Sequence, residues 1–187
     1  MNYIRVFIAA DIDDKEIVEK ISVVKNSFSD GNIKIKFVED ENLHLTLKFI
    51  GEVDERLIPQ IEEKMLNIKA AAFTITLKNI GVFTPRYPRV LWIGIENGLA
   101  ELVKLASAIN TNLNSLGFRL EKDFTPHLTI GRIKYVKDKR QLIERIQALK
   151  NLDFGSMLIR CFKLKKSTLT PAGPIYQTIK EFKLEGV

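Results

Sequence analysis

The chain has 187 residues, of which 45% are hydrophobic and 28% are charged, a composition that excludes a disordered or fibrous protein. No apolar stretch approaches the roughly 20 residues of a transmembrane helix, and the first residues do not resemble a signal peptide. We therefore expect one domain spanning 1–187, with no membrane association. The single cysteine, Cys161, favours a reducing, cytoplasmic location. The net charge of +6 fits either a polyanionic partner such as RNA or a solvated surface rich in Lys and Glu.

Short strands and helices are predicted to alternate along the chain, without a linker. Alternating or continuous apolar residues predict strands at 3–10, 33–37, 43–49, 73–80, 90–95, 125–133, 157–164 and 176–184. Apolar residues three or four positions apart predict helices between Ile17 and Phe28, between Leu57 and Ile68, over 98–116, and between Leu142 and Leu149. Four helices and about eight strands in mixed order are typical of an α+β fold.

The sequence contains one short repeat, HLTLKFIGEV at 44–53 and HLTIGRIKYV at 127–136. The two histidines that begin these segments are the only ones in the chain and lie 83 residues apart, near half its length. A single His in a strand is most often a surface or core residue, but both histidines in the same HLT-aliphatic context are a far rarer coincidence. The repeat therefore indicates two related halves and a shared site.

Residues i and i+2 of a strand point to the same face, so that His44 lies beside Thr46, and His127 beside Thr129. Because the unperturbed pKa of His is about 6.5, one neutral and one protonated imidazole can coexist near neutral pH. Phosphodiester hydrolysis without a metal needs such a base and such an acid, and the threonine hydroxyls could donate to the phosphate oxygens. No serine lies in a nucleophile elbow, and a zinc site usually needs three or four close ligands. We therefore expect no metal and no cofactor.

Several further segments extend the pattern over nearly the whole chain: RVFIAADI, NLHLTLKFIGEV, GVFTPRYPRVLWIGIE, FTPHLTIGR and STLTPAGPIY. This ordered set resembles the two-histidine (2H) phosphoesterase superfamily. Within it, the chain is most similar to the RNA 2′,3′-cyclic phosphodiesterases, historically called 2′-5′ RNA ligases. The resemblance implies a bilobal α+β fold with two pseudo-symmetric antiparallel or mixed sheets, helices outside, and a central cleft that carries both HxT motifs.

The resemblance also implies an activity, the metal-independent hydrolysis of a 2′,3′-cyclic phosphate at an RNA end to a 2′-phosphate. His44 would be the general acid that protonates the departing 3′-oxygen, and His127 the general base that activates water. Thr46 and Thr129 would hold the phosphate. Reversal of the same chemistry would join a cyclic end to a 5′-hydroxyl through a 2′-5′ bond.

Two cations near the motifs are candidates for substrate binding. Lys48 has the same parity as His44 and Thr46, which predicts a position on the catalytic face and a role as an electrostatic stabiliser, unless it is an ordinary surface cation. Arg132 would point away from that face in a regular strand, but Gly131 could mark a β-bulge that turns it back. In that case Arg132 would bind phosphate or ribose.

Aromatic residues offer weaker candidates. Phe124 and Tyr176 could form a wall for the terminal base, although core packing is the more common role. Two alternatives to an RNA cyclic phosphodiesterase stay open. One is an RNA-end-binding module without turnover, and the other is a phosphodiesterase acting on a small cyclic nucleotide. We expect a monomer whose partner is RNA with a 2′,3′-cyclic phosphate end.

Overall fold

The computed structural model describes residues 2–28, 31–171 and 173–186. This part of the chain contains four α-helices, α1 (Lys15–Asn26), α2 (Ile58–Leu66), α3 (Leu99–Asn114) and α4 (Lys139–Ala148). It also contains nine strands, β1 (Tyr3–Asp11), β2 (Ile33–Phe37), β3 (His44–Asp54), β4 (Phe73–Val82), β5 (Val90–Ile95), β6 (Leu128–Val136), β7 (Asp153–Ile159), β8 (Cys161–Thr170) and β9 (Gly173–Lys183). The expected α+β fold is confirmed. No helix among these residues is long and apolar enough to cross a membrane.

The nine strands form one sheet, in the order β7-β4-β5-β6-β3-β1-β8-β9, with β2 also paired to β6. All the pairings between these strands are antiparallel. Strands β3 and β6 are paired only at Leu45 and Leu128. This pair therefore joins two groups of strands, β1-β3-β8-β9 and β2-β4-β5-β6-β7, into the continuous sheet. Because Leu45 and Leu128 directly follow the two histidines, the joint brings the two HLT motifs together.

Among the element boundaries that differ from those expected, two bear on the arrangement of the strands and of the site. The strand predicted over 157–164 is two strands, β7 and β8, separated at Arg160. Strand β7 pairs with β4 and β8 pairs with β1, so the chain passes from one group to the other at this residue. Strand β6 begins at Leu128, so His127 directly precedes the strand instead of lying within it.

The helices cover one face of the sheet. Helix α1 begins at an Asp14 carboxylate that accepts a hydrogen bond from the Ile17 amide at 3.1 Å, a typical N-cap. Its buried face and that of α3 share one apolar cluster with alternate residues of β1, including Val6 and Ile8. The alternate β1 residues Arg5, Phe7, Ala9 and Asp11 point to the opposite face. The functional side chains lie on this second face.

Candidate active site

The two histidines are held in the same way. The Nδ1 atom of His44 lies 2.7 Å from the Asn42 carbonyl oxygen, and the Nδ1 atom of His127 lies 2.8 Å from the Thr125 carbonyl oxygen. In each case the partner is two residues earlier in the chain. A carbonyl oxygen only accepts hydrogen bonds, so Nδ1 must carry the proton. In the neutral ring, Nε2 is then an unprotonated acceptor available to a substrate.

Strand register places His44 and Thr46 on the face away from the helices. His44 is paired with Asp11 and Thr46 with Ala9, two residues that share one face of β1. Two aromatic rings support the imidazole from this side, Phe7 with its centroid at 5.1 Å and Tyr176 edge-on at 5.3 Å. The candidate Tyr176 is therefore in direct contact with His44.

A matching aromatic contact supports the second histidine. Phe83, in the loop between β4 and β5, lies edge-on to His127 with ring centroids 4.8 Å apart. Phe83 in turn packs on Trp92 at 5.4 Å, and Trp92 is paired with Thr129 across β5 and β6. Sequence reasoning did not identify Phe83 or Phe7, because an aromatic residue in an apolar context is usually read as core.

The same one-residue bulge follows the threonine of both motifs. Ala9 is paired with Thr46 but the preceding Ile8 is paired with Lys48, which leaves Leu47 as the extra residue. In the second motif, Trp92 is paired with Thr129 but Leu91 with Gly131, which leaves Ile130 as the extra residue. Such a bulge reverses which face the following residues occupy.

The expectation that Lys48 shares the face of His44 is therefore wrong. The bulge turns Lys48 to the helix side, where the residue is 3% exposed. Its ammonium group donates to Asn110 Oδ1 at 2.9 Å and to the Arg119 carbonyl at 2.7 Å, and lies 3.4 Å from a Glu121 carboxylate oxygen. Lys48 thus fastens α3 and the segment after it to the back of the sheet.

The bulge has the opposite effect on Arg132. The bulge considered at Gly131 is present, with Ile130 as the extra residue, and it returns Arg132 to the same face as Thr129. The residue at the corresponding place in the first motif is Phe49, which is 58% exposed and lies 6.2 Å from Phe7 between ring centroids. The site thus has an arginine on one side and a phenylalanine on the other. The candidate Phe124 is half-buried and packs against the apolar core, as expected for a packing role.

A partly buried charge cluster adjoins His44. Asp11 accepts hydrogen bonds from Lys165 at 2.6 Å and from Lys163 at 3.0 Å. Burial would raise the pKa of the Asp11 carboxyl, but these two lysines hold it below its usual range. Burial lowers the pKa of the His44 imidazole, and Lys165 lowers it further, while the Asn42 carbonyl and Asp11 oppose the shift in part. In the protein without substrate, the His44 side chain therefore loses its proton more readily than an exposed histidine does.

Among the described residues, no three His, Cys, Asp or Glu side chains are grouped closely enough to hold a metal ion. The chemical groups that the site gathers are two imidazoles, two threonine hydroxyls, a guanidinium and several aromatic rings. Paired acid and base groups of this kind suit proton transfer to and from a phosphate ester.

Comparison with known proteins identifies the family of the chain. The family model described as LigT-like phosphoesterase matches the chain twice, over residues 12–92 and 93–176. An RNA 2′,3′-cyclic phosphodiesterase of Methanocaldococcus jannaschii is 45% identical over 95% of this chain and 99% of its own length. A protein of the same name from Thermotoga maritima is 39% identical over 97% of this chain and 96% of its own length.

Solved structures give the same result. A Thermus thermophilus protein superimposes with a TM-score of 0.82 at 25% identity, covering 97% of this chain and 98% of its own. Escherichia coli LigT in complex with 3′-AMP superimposes with a TM-score of 0.79 at 25% identity, covering 98% and 99%. Each of the two consecutive matches to one family model contains one of the two HLT motifs. The chain belongs to the LigT-like phosphoesterase family.

Proposed function

We propose that this protein hydrolyses the 2′,3′-cyclic phosphodiester at an RNA end to a 2′-phosphomonoester, with His44 as proton donor and His127 as proton acceptor. The observation that carries the proposal is the matched pair of histidines, each with Nδ1 bound to a backbone carbonyl and Nε2 left for the substrate. The names of the relatives support the choice of substrate.

The reaction starts with His127 neutral and His44 protonated. His127 Nε2 takes a proton from water as the water oxygen attacks phosphorus, and the bond between phosphorus and O3′ breaks. His44 Nε2 gives its proton to O3′, which leaves as a hydroxyl. Thr46 and Thr129 donate hydrogen bonds to the non-bridging oxygens, where negative charge increases in the transition state. Proton exchange with solvent then restores both histidines.

Burial and Lys165 lower the pKa of His44, which at first sight disfavours an acid at this position. A bound phosphodiester brings a negative charge against the imidazole, and an adjacent opposite charge favours the protonated form. Substrate binding therefore restores the proton that catalysis needs. With a 5′-hydroxyl in place of water as the nucleophile, the same two proton transfers form a 2′-5′ phosphodiester bond as the bond between phosphorus and O3′ breaks.

Two further residues complete the proposed site. Arg132, on the face of Thr129, neutralises the phosphate. Tyr176, in contact with His44, forms part of the wall beside the terminal nucleotide. Lys48 has no place in the site, and Phe124 has only a packing role. We further propose that residues 1–187 act as one two-lobed domain, as a cytoplasmic monomer.

The test is an incubation with a short RNA that ends in a 2′,3′-cyclic phosphate, in the presence of EDTA, using the intact protein, His44→Ala and His127→Ala. We expect a 2′-phosphate product from the intact protein and a loss of about 10²-fold or more in each variant, since each proton transfer is worth about 10²–10⁴ in rate. The double variant should lose little more than either single one, because the pair acts as a unit.

Other outcomes lead to different conclusions. A 3′-phosphate product would keep the chemistry but contradict the assignment of the departing oxygen. Near-full turnover in either variant would refute the proposal. Tight binding of the RNA without product would favour the non-catalytic binding module, and turnover only of free cyclic nucleotides would favour the small-molecule alternative.

A further inference from the structure

The net positive charge of the chain is concentrated in three segments, 31–38, 83–90 and 131–137. They contain seven lysines and arginines and no carboxylate: Lys34, Lys36, Arg86, Arg89, Arg132, Lys134 and Lys137. The other 22 basic residues are outnumbered by the 23 acidic residues of the chain. Because β6 is paired with β2 on one side and with β5 on the other, the three segments are neighbours in the sheet. The positive charge is thus gathered on one part of the surface.

Four side chains of this region form a row on the face that carries the active site. In the ladder between β2 and β6, Lys36 is paired with Arg132, and Lys34 with Tyr135. The intervening β2 residues belong to or pack against the apolar cluster on the helix side. Lys34, Lys36, Arg132 and Tyr135 therefore point away from the helices, as Thr129 does. We refer to these four residues as the β2–β6 row.

The row is continuous with the proposed active site. Burial raises the pKa of Tyr176, and the positive charge of Arg132 is close enough to oppose this shift. Lys36 reaches toward the turn between β8 and β9, since its Nζ lies 3.0 Å from where a side chain at Gly173 would begin. From Arg132, near the Tyr176 ring that contacts His44, the row leads outward along β2 and β6 to Lys34 and Tyr135.

The four residues of the row are all exposed. Within the described residues, neither Lys34 nor Arg132 forms an ion pair, whereas the lysines at the centre of the first strand group, Lys163 and Lys165, are bound to Asp11. Tyr135 is 59% exposed, beside Lys34. Neighbouring cations without counter-charges, such as Lys34 and Arg132, raise the local potential and attract anions. Cations interleaved with an exposed aromatic ring are typical of single-stranded nucleic-acid sites, where bases stack on the ring.

We propose that the β2–β6 row binds the single-stranded RNA that precedes the cyclic terminal nucleotide, with phosphates on its cations and a base stacked on Tyr135. This proposal rests on the proposed function, because it places the RNA end in the catalytic cleft. Lys34 and Lys36 are separated by two residues of an extended strand, about 6.7 Å. The positive charges of the row are thus spread along a line. This arrangement suits an RNA strand with several phosphates better than an isolated phosphate.

The test compares two substrates with the same terminal dinucleotide and cyclic end, one of two nucleotides and one of ten. The variants are Lys34→Gln and Tyr135→Ala, with Lys104→Gln on the exposed side of α3 as the matched control. Each phosphate contact to a single strand contributes about 0.7 to the slope of log affinity against log salt, which corresponds to about fivefold between 0.1 M and 1 M salt. We therefore expect Lys34→Gln to raise KM for the ten-nucleotide RNA about fivefold at 0.1 M salt and to reduce the salt slope by about 0.7.

The expected pattern is selective. Neither row variant should change kcat, or KM for the dinucleotide, and Lys104→Gln should behave as the parent protein. Tyr135→Ala should raise KM for the ten-nucleotide RNA about fivefold or more, since stacking of a base contributes about 1–3 kcal/mol. Equal KM values for the two substrates, or an equal effect of Lys34→Gln on both, would overturn the proposal.

Failure of the proposed function gives a different result, since neither substrate is then hydrolysed. Binding of fluorescently labelled ten-nucleotide RNA, followed by anisotropy, still tests the row in that case with the same variants. Weaker binding by both row variants supports the proposal. Unchanged binding, or equal affinity for a ten-base-pair duplex with no dependence on Tyr135, overturns it.

Discussion

Replacement of Lys48 by Met tests whether this lysine holds the structure or the substrate. Methionine keeps most of the aliphatic volume but removes the ammonium group and its two hydrogen bonds, to Asn110 and to the Arg119 carbonyl. Hydrogen bonds to charged groups contribute about 1.5–3 kcal/mol each. Asn110 Oδ1 keeps its bond from the Glu121 amide, and the buried methionine has no charge to desolvate. We therefore expect a net loss of about 1.5–3 kcal/mol.

For a domain of this size, each kcal/mol corresponds to about 2–4 °C in Tm, so that Lys48→Met should lower Tm by roughly 3–12 °C. Because the bulge turns Lys48 away from the site, kcat and KM should remain within about twofold of the parent values at a temperature where both proteins are folded. Lys104→Met, on the exposed side of α3, serves as the matched control and should change neither quantity. An unchanged Tm together with a KM raised tenfold would refute the structural role and return Lys48 to the substrate.

Three further changes have defined outcomes. Lys165→Met removes a positive charge that lowers the pKa of His44, so that the alkaline limb of the pH profile of kcat/KM should move to higher pH, whereas Lys166→Met should leave it in place. Asp11, whose pKa is lowered in the fold, stabilises the protein above its unfolded pKa, and this contribution is lost as pH falls from about 4 through the lowered value. Asp11→Asn should therefore flatten the acid side of a plot of unfolding free energy against pH, and an unchanged slope would contradict the ion cluster. Gly131→Ala would place a carbon 2.6 Å from the Ile35 methyl carbon on β2. Chemical denaturation should therefore show that the free energy of unfolding falls by about 1–3 kcal/mol. An unchanged free energy of unfolding would mean that β2 shifts to make room at no cost.

The sequence was sufficient to predict the α+β fold, because the order of helices and strands follows from local periodicity. It was also sufficient to predict that the two HLT motifs share one site, because the motif is repeated. The sequence could not predict on which face of the sheet the Lys48 side chain lies. The run from Leu43 to Phe49 alternates as a regular strand does, and the bulge arises only from pairing with β1. In the second motif Gly131 gave a visible signal, since a glycine within a strand often marks a bulge. That difference explains why the bulge was anticipated beside Arg132 and missed beside Lys48.

The division of the predicted strand over 157–164 was equally hidden. Arg160 separates β7 from β8 without a proline or glycine to mark the break. The break arises because β7 pairs with β4 whereas β8 pairs with β1, and both partner strands are far away in sequence. The aromatic support of the histidines, from Phe7 and Phe83, is also a tertiary feature, because an aromatic residue beside a catalytic group and one in the core have the same local pattern.

The single pair between Leu45 and Leu128 has a mechanical consequence. The same two strand groups are also tied by a bridge between Ala71, before β4, and Glu185, after β9, so that any relative rotation turns about a line through the pair and the bridge. Each atom then moves in proportion to its distance from that line. His44 and His127 are one residue away, about 3.8 Å between Cα atoms, whereas Tyr135 is seven residues along β6, about 23 Å. A rotation of about 5° would then shift Tyr135 by at most about 2 Å and each histidine by at most about 0.3 Å. A rotation axis that passes beside the two histidines thus lets the outer strands move while the two imidazoles keep their spacing.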